Sequence, residues 1–184
     1  QLIVMDFSTI DNRQIRKSLS SFLVIMAFIF ASVSLANFSA AHAQNFPEPT
    51  GFVVDQANIL SPEEEAQLSQ KLEALKAQSN REFAVATISD LQGYDIADYG
   101  YQLGRAWGVG NEGADDGILL IIAPNERKMR IEVGYGLEGI ITDGLSGQII
   151  RQQITPEFKA GNMFAGINAG VDAIGSQLLL PPEE

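Results

Sequence analysis

Apolar positions change their period several times along the chain, and each change predicts an element. Between residue 62 and about residue 78, Leu68, Leu72 and Leu75 share one face at helical spacing. The stretch opens with Ser61-Pro62-Glu63-Glu64. Serine caps the helix, proline takes its first position, and Glu64 completes a capping box. The segment EFAVATIS, residues 82–89, alternates and is rich in strand formers. Residues 95–107 return to the helical period, with Ile96, Tyr99, Leu103 and Trp107 on one face. GILLIIA, residues 117–123, is apolar throughout, which predicts a central strand buried on both sides. Pro124-Asn125-Glu126-Arg127 reads as a tight turn. In KMRIEV, residues 128–133, Met129, Ile131 and Val133 point one way and Lys128, Arg130 and Glu132 the other. That pattern fits a half-exposed strand antiparallel to its predecessor.

The remainder is helical. Leu145, Ile149 and Ile150 mark a helix from about Thr142, which Pro156 is expected to interrupt. Phe164, Ile167, Val171, Ile174 and Leu178 then define a last amphipathic helix. A short apolar run in GFVVDQANIL, residues 51–60, is a candidate first strand. The order predicts an α/β fold: a three-layer α/β/α sandwich on a mixed, mostly parallel sheet with one antiparallel hairpin strand. The strand-helix-strand units are expected to be right-handed.

The chain's start has a different character. Arg13, Arg16 and Lys17 precede the apolar run FLVIMAFIFASVSLA, and Ala41-His42-Ala43 follows as an A-x-A signal. This predicts a signal peptide over residues 1–43, a domain over 44–180 and a short tail over 181–184. The predicted location is exported, in the periplasm, or membrane-associated if the leader stays attached. No later segment is long and apolar enough to span a bilayer.

The one histidine, His42, lies in the leader, and there is no cysteine. Ser-His-Asp and Cys-His catalysis, imidazole or thiolate zinc sites and disulfides are therefore excluded from the domain. The whole chain has a formal net charge of −11. Such a charge repels nucleic acid and suits hard divalent cations.

Two stretches spell G-x-G-x-x-G: Gly108, Gly110 and Gly113, then Gly134, Gly136 and Gly139. The first follows a helix and precedes a strand, the reverse of what phosphate cradling needs. The second lacks a returning strand to complete a βαβ unit. A tight hairpin brings both glycine-rich loops to one end of the sheet. With them come Glu112, Asp115 and Asp116 from one loop and Glu138 and Asp143 from the other. Hard oxygen ligands without histidine or cysteine point to Ca²⁺ or Mg²⁺. The alternative is a solvated acidic rim in which these side chains cap loops and helix ends.

Six spaced elements carry a resemblance. They are Val54-Asp55-x-Ala57-x-Ile59-Leu60-Ser61, Trp107-Gly108-x-Gly110 and Asp116-Gly117-x-Leu119-Leu120. Then come Arg130-x-Glu132-x-Gly134-x-Gly136-Leu137-Glu138-Gly139, Thr142-Asp143, and Pro156-x-Phe158-x-x-Gly161. In these the chain resembles the TPM-domain family, named after thylakoid, phosphatase and membrane protein. The resemblance implies an α/β/α sandwich with a divalent-cation site, usually described with calcium, in an acidic crevice. It also implies export or membrane anchoring, and an acid phosphatase activity ascribed to plant members. Carried over residue by residue, the ligands are Asp115, Asp116 and Asp143, with Glu138 beside them. Asp55 either joins them or fixes the lead-in by accepting backbone amides.

Two functions follow as expectations. In a metal-assisted phosphatase, Asp116 or Glu138 would position the attacking water or accept its proton, and Arg105 or Arg127 would neutralise phosphate. In a non-catalytic accessory module, the ion would rigidify the loops, which dock an envelope protein partner through Tyr94, Tyr101 or Tyr135. Paired acids could also serve glycoside hydrolysis, but nothing in the sequence fixes a carboxylate separation.

Overall fold

The computed structural model describes residues 44–180. The expected leader and the four-residue tail lie outside the described residues. Among the described residues no helix is long and apolar enough to cross a membrane.

Four strands form one sheet in the order β1-β2-β3-β4. They are β1 (Val53–Asp55), β2 (Glu82–Thr87), β3 (Gly117–Ala123) and β4 (Lys128–Val133). The first three run parallel, and β4 turns back antiparallel to β3. Helix α1 (Pro62–Ser79) links β1 to β2, and α2 (Ile96–Trp107) links β2 to β3. The predicted start of α1 is present in full: Ser61 Oγ accepts the Glu64 amide and Glu64 accepts the Ser61 amide.

Side-chain alternation divides the core into two layers. Phe83, Val85, Ile118, Leu120 and Ile131 face α1 and the C-terminal helices, where Leu68, Leu72, Ile167, Val171 and Ile174 pack on them. Ala84, Ala86, Leu119 and Ile121 face α2, where Tyr99 and Leu103 cover them. Full burial of one such large apolar side chain contributes about 1.5–3 kcal/mol. Alanines on β2 let α2 sit close to the sheet.

The topology departs from expectation in one respect. The strand order advances in one direction from β1 to β3. The two crossover helices nevertheless pack on opposite faces. The two β-α-β units therefore have opposite hand, and one of them breaks the right-handed rule.

The expected interruption at Pro156 is also corrected. A short helix α3 (Asp143–Ile149) passes into a π-helical turn over Ile150–Ile154 and then into α4 (Thr155–Lys159). Pro156 stands in the first turn of α4, directly after this wider turn. The wider π turn absorbs the irregularity, and Thr155 Oγ1 donates to the Ile150 carbonyl at 2.8 Å. Helix α5 (Met163–Leu178) closes the domain.

Candidate functional site

The hairpin of β3 and β4 places the loop before β3 beside the turn after β4. Gly134 N–H donates to the Gly117 carbonyl at 2.8 Å, and Gly136 N–H to the Asp115 carbonyl at 2.9 Å. The two loops are thus joined backbone to backbone. A Cβ on Gly134 would stand 2.1 Å from the Asp115 carbonyl oxygen, and one on Gly117 would stand 2.1 Å from that of Val109. Close approach of main chains accounts for these two glycines, as no side chain fits there. The 3₁₀ turn Tyr135–Leu137 follows, so no long helix begins at the second G-x-G-x-x-G.

Above this junction lies a crevice of about 1060 Å³. The loop before β3 lends it Glu112 and Asp115, and the segment after β4 lends it Glu138 and Asp143. All four residues are exposed. Asp115 holds a left-handed backbone, φ +48°, in the turn that carries it into the crevice.

Asp116 is placed differently. Its carboxylate accepts the Asn111 amide at 2.7 Å and Asn111 Nδ2 at 2.9 Å. The same Nδ2 donates to the Asn80 carbonyl at 2.7 Å, tying the loop to the end of α1. Burial works to raise the Asp116 carboxyl, but the Asn111 hydrogen bonds and the charge of Arg81 together hold it below its ordinary value.

Asp55 sits at the far end of the sheet, since β1 and β2 run parallel to β3 and Asp55 pairs in register with Thr87. Its oxygens accept the Ile59 amide at 3.2 Å, the Leu60 amide at 2.9 Å and the Thr87 hydroxyl. This is the bracing of the lead-in that the sequence left open. Arg127 is likewise remote, in the β3–β4 turn.

The crevice extends beneath α2 and takes in residues that the sequence analysis placed in a motif but gave no role at the site. Glu132 and Arg130 line it from the α2-facing side of β4, joined as an ion pair. Glu132 stands opposite Leu119 in the strand register, with its side chain 19% exposed. A Cβ on Gly100 of α2 would come within 2.9 Å of Glu132 Cγ and 2.8 Å of Ile121 Cδ1. Burial pushes the Glu132 carboxyl above its ordinary value, against the opposing pull of Arg130 and with Asp143's negative charge adding to the rise. Arg105 lines the crevice from α2 and donates to the Tyr101 hydroxyl at 2.8 Å. The sequence did carry a signal for this wall. Lys128, Arg130 and Glu132 alternate onto one face of β4, and Gly100 and Gly104 leave α2 without bulk where it crosses that face.

A family model described as "TPM domain" matches residues 53–177. The chain belongs to the TPM-domain family. The TPM domain here resembles the solution NMR structure of the N-terminal domain of a protein from P. gingivalis, at 38% identity and TM-score 0.65. That match covers 70% of this chain and 82% of the other. The N-terminal domain of the cg2496 protein of Corynebacterium glutamicum matches at 17% identity and TM-score 0.56, over 77% of this chain and 90% of that one. The BA42 protein of the psychrophilic bacterium Bizionia argentinensis matches at 21% and TM-score 0.57, over 65% and 81%. These last two likenesses speak to the fold alone. None of the curated proteins compared matches the chain.

The lining of the crevice in this TPM domain has the donor chemistry of a hard cation: carboxylates and backbone carbonyls, with no sulfur or imidazole. As placed, no group of three acidic side chains among the described residues stands close enough to hold an ion.

Proposed function

We propose that the crevice binds Ca²⁺ or Mg²⁺ through Asp115 and Asp143, and that the loaded domain hydrolyses phosphomonoesters outside the cytoplasm. One observation carries the reading: a single crevice gathers Glu112, Asp115, Glu138 and Asp143 together with Arg105 and Arg130. Acids alone would repel a phosphate. Arg105, bonded to the neutral Tyr101 hydroxyl, gives the phosphate oxygens a partner of the right charge and geometry, and Arg130 joins it when its ion pair with Glu132 opens. When bound, the cation supplies further positive charge and acidifies water. Glu138, exposed on the crevice, is free to take a proton from an attacking water. Asp116 is less suited, because Asn111 already occupies both its oxygens. Export rests on the leader and its A-x-A signal.

A second reading has its own support. Tyr101 and Tyr135 line the same crevice and are 58% and 80% exposed. Such tyrosines suit an accessory module whose cation-braced loops dock an envelope protein. Two measurements on residues 44–184 separate the readings. Calorimetric titration of Ca²⁺ and Mg²⁺ should give saturable heat that Asp115→Asn and Asp143→Asn weaken at least tenfold. Phosphomonoester turnover should appear with the ion and vanish with chelator. Binding without turnover leaves the accessory module, and absence of binding removes both readings.

A further inference from the structure

We infer that Glu132 is the proton donor to the leaving oxygen of a phosphomonoester held in this crevice, with Arg130 beside it receiving phosphoryl oxygens. The inference rests on the hydrolase reading above and assigns it a residue outside the cation ligands.

Position comes first. Glu132 projects from the α2-facing side of β4 into a crevice that also holds two arginines. It is 19% exposed, whereas Asp115, Glu138 and Asp143 are open to solvent. Its surroundings are uneven. Leu119 and Ile121 of β3 and Gly100 of α2 are apolar or bare. Arg130 on β4 and Asp143 on α3 are the charged groups acting on it, but burial is the first cause of its raised carboxyl, and Asp143 ceases to add to the rise once it holds a cation. A carboxyl in such a setting holds its proton to higher pH than an exposed one, which is what a general acid needs.

The pairing with Arg130 links proton uptake to substrate. While Glu132 is ionised, Arg130 is neutralised by it. Once Glu132 is protonated, that guanidinium lacks a counter-charge and is available to a phosphate. A phosphate dianion bound there in turn disfavours ionisation of Glu132. Substrate and proton therefore enter together.

The step balances with water as co-substrate. A water oxygen bonds to phosphorus while the bond from phosphorus to the leaving oxygen breaks. The leaving oxygen keeps that electron pair and takes the proton of Glu132. The proton shed by the attacking water passes to Glu138 and from there to solvent, from which Glu132 is reprotonated. The products are an alcohol and inorganic phosphate.

Leaving-group dependence tests this, because an acid matters only where the leaving oxygen needs a proton. Glu132→Gln keeps the size of the side chain. It should lower kcat on an alkyl phosphate by about 100-fold, within the usual range for general acid catalysis. On p-nitrophenyl phosphate, whose phenolate leaves unaided, the loss should be about tenfold or less. The unsubstituted domain should lose alkyl phosphate turnover as pH rises through the Glu132 pKa, and Glu132→Gln should lack that limb. A measurement on the unsubstituted domain guards against a variant that does not fold. Carbon NMR titration of its glutamate carboxyls should find Glu132 above the ordinary glutamate range. Equal losses on both substrates, or an ordinary Glu132 titration, overturn the proton-donor role while leaving the hydrolase reading intact. No turnover of either substrate by the unsubstituted, cation-loaded domain overturns both.

Discussion

Gly136 N–H and the Asp115 carbonyl lie 2.9 Å apart, and this bond joins the two loops that furnish the acidic crevice. Beside it, the Gly134 amide meets the Gly117 carbonyl at 2.8 Å. The carboxylates of Asp115 and Glu138 depend on this seam for their common location. A methyl group added at Gly134 would meet the Asp115 carbonyl oxygen at 2.1 Å, far inside contact distance, and backbone cannot give way as a flexible side chain can. Gly134→Ala should therefore cost about 1–3 kcal/mol, the usual range for forced overpacking. It should also weaken divalent-cation binding. Urea denaturation with calorimetry checks both, and unchanged stability would show that the seam opens freely.

Asp116 stands next to Asp115 in sequence but does different work. With both oxygens occupied by Asn111, it braces its own loop against the end of α1. Asp116→Ala would strand those donors in a partly buried setting and should cost about 1–3 kcal/mol. The acid response has a defined sign. The folded carboxyl is lowered from 3.8, so its contribution is present above that value and is lost as pH falls through the folded pKa. Thermal melts in the unsubstituted domain should fall on acidification below about pH 4, and the Asp116→Ala domain should fall less. Parallel curves for the two proteins would contradict this.

Much of the fold was legible because its determinants are local. The apolar run 117–123, the alternation of 128–133 and the capping box at Ser61 each point to one conformation, and each forms. The hand of the crossovers was not legible. It depends on which face of the sheet each helix covers, and both β2 and β3 offer apolar residues on both faces. Continuity of the helix through Pro156 was missed because a π turn leaves no mark in the periodicity. At the site, loop membership located Asp115, Glu138 and Asp143 on one crevice, since adjacency in a hairpin is a local property. It could not foresee that the Asp116 oxygens turn to Asn111. Nor did it give Glu132 a role at the site, because its environment is made in part by Gly100, more than thirty positions away.

Asp55 and Asp143 should separate stability from ligand binding. Asp55 accepts two backbone amides and the buried Thr87 hydroxyl, at the end of the sheet remote from the crevice. Asp55→Ala should cost about 1–3 kcal/mol and leave Ca²⁺ affinity per folded molecule unchanged. Asp143 is exposed, in the first turn of α3, where Thr142 rather than Asp143 provides the cap. Asp143→Asn should move stability by no more than about 0.5 kcal/mol, as for other surface changes. It should weaken cation binding at least tenfold. Chemical denaturation and calorimetry on both variants give the comparison, and a loss of affinity in Asp55→Ala would place that carboxylate in the binding machinery after all.

Glu132 carries the opposite pH signature to Asp116. Its folded carboxyl lies above the ordinary glutamate value of 4.5, chiefly through burial, with Arg130 opposing and Asp143 reinforcing. The sign then follows from linkage. The stability that its protonated form contributes is fully present below the unfolded pKa and is lost as pH rises through the raised folded pKa. Glutamine cannot ionise and so lacks that loss. Compared with the unsubstituted domain, Glu132→Gln should therefore gain melting temperature as pH rises from 4.5 through the raised folded pKa, and the gain should then level off. Below pH 4.5 the difference between the two should stop changing. Added phosphate should narrow the gap near neutrality by giving Arg130 an anion and keeping Glu132 protonated. Melts at matched ionic strength, with phosphate replaced by chloride in the control, make the comparison. A difference that does not vary with pH would mean that Arg130 outweighs burial, and that Glu132 stays ionised where a proton donor is required.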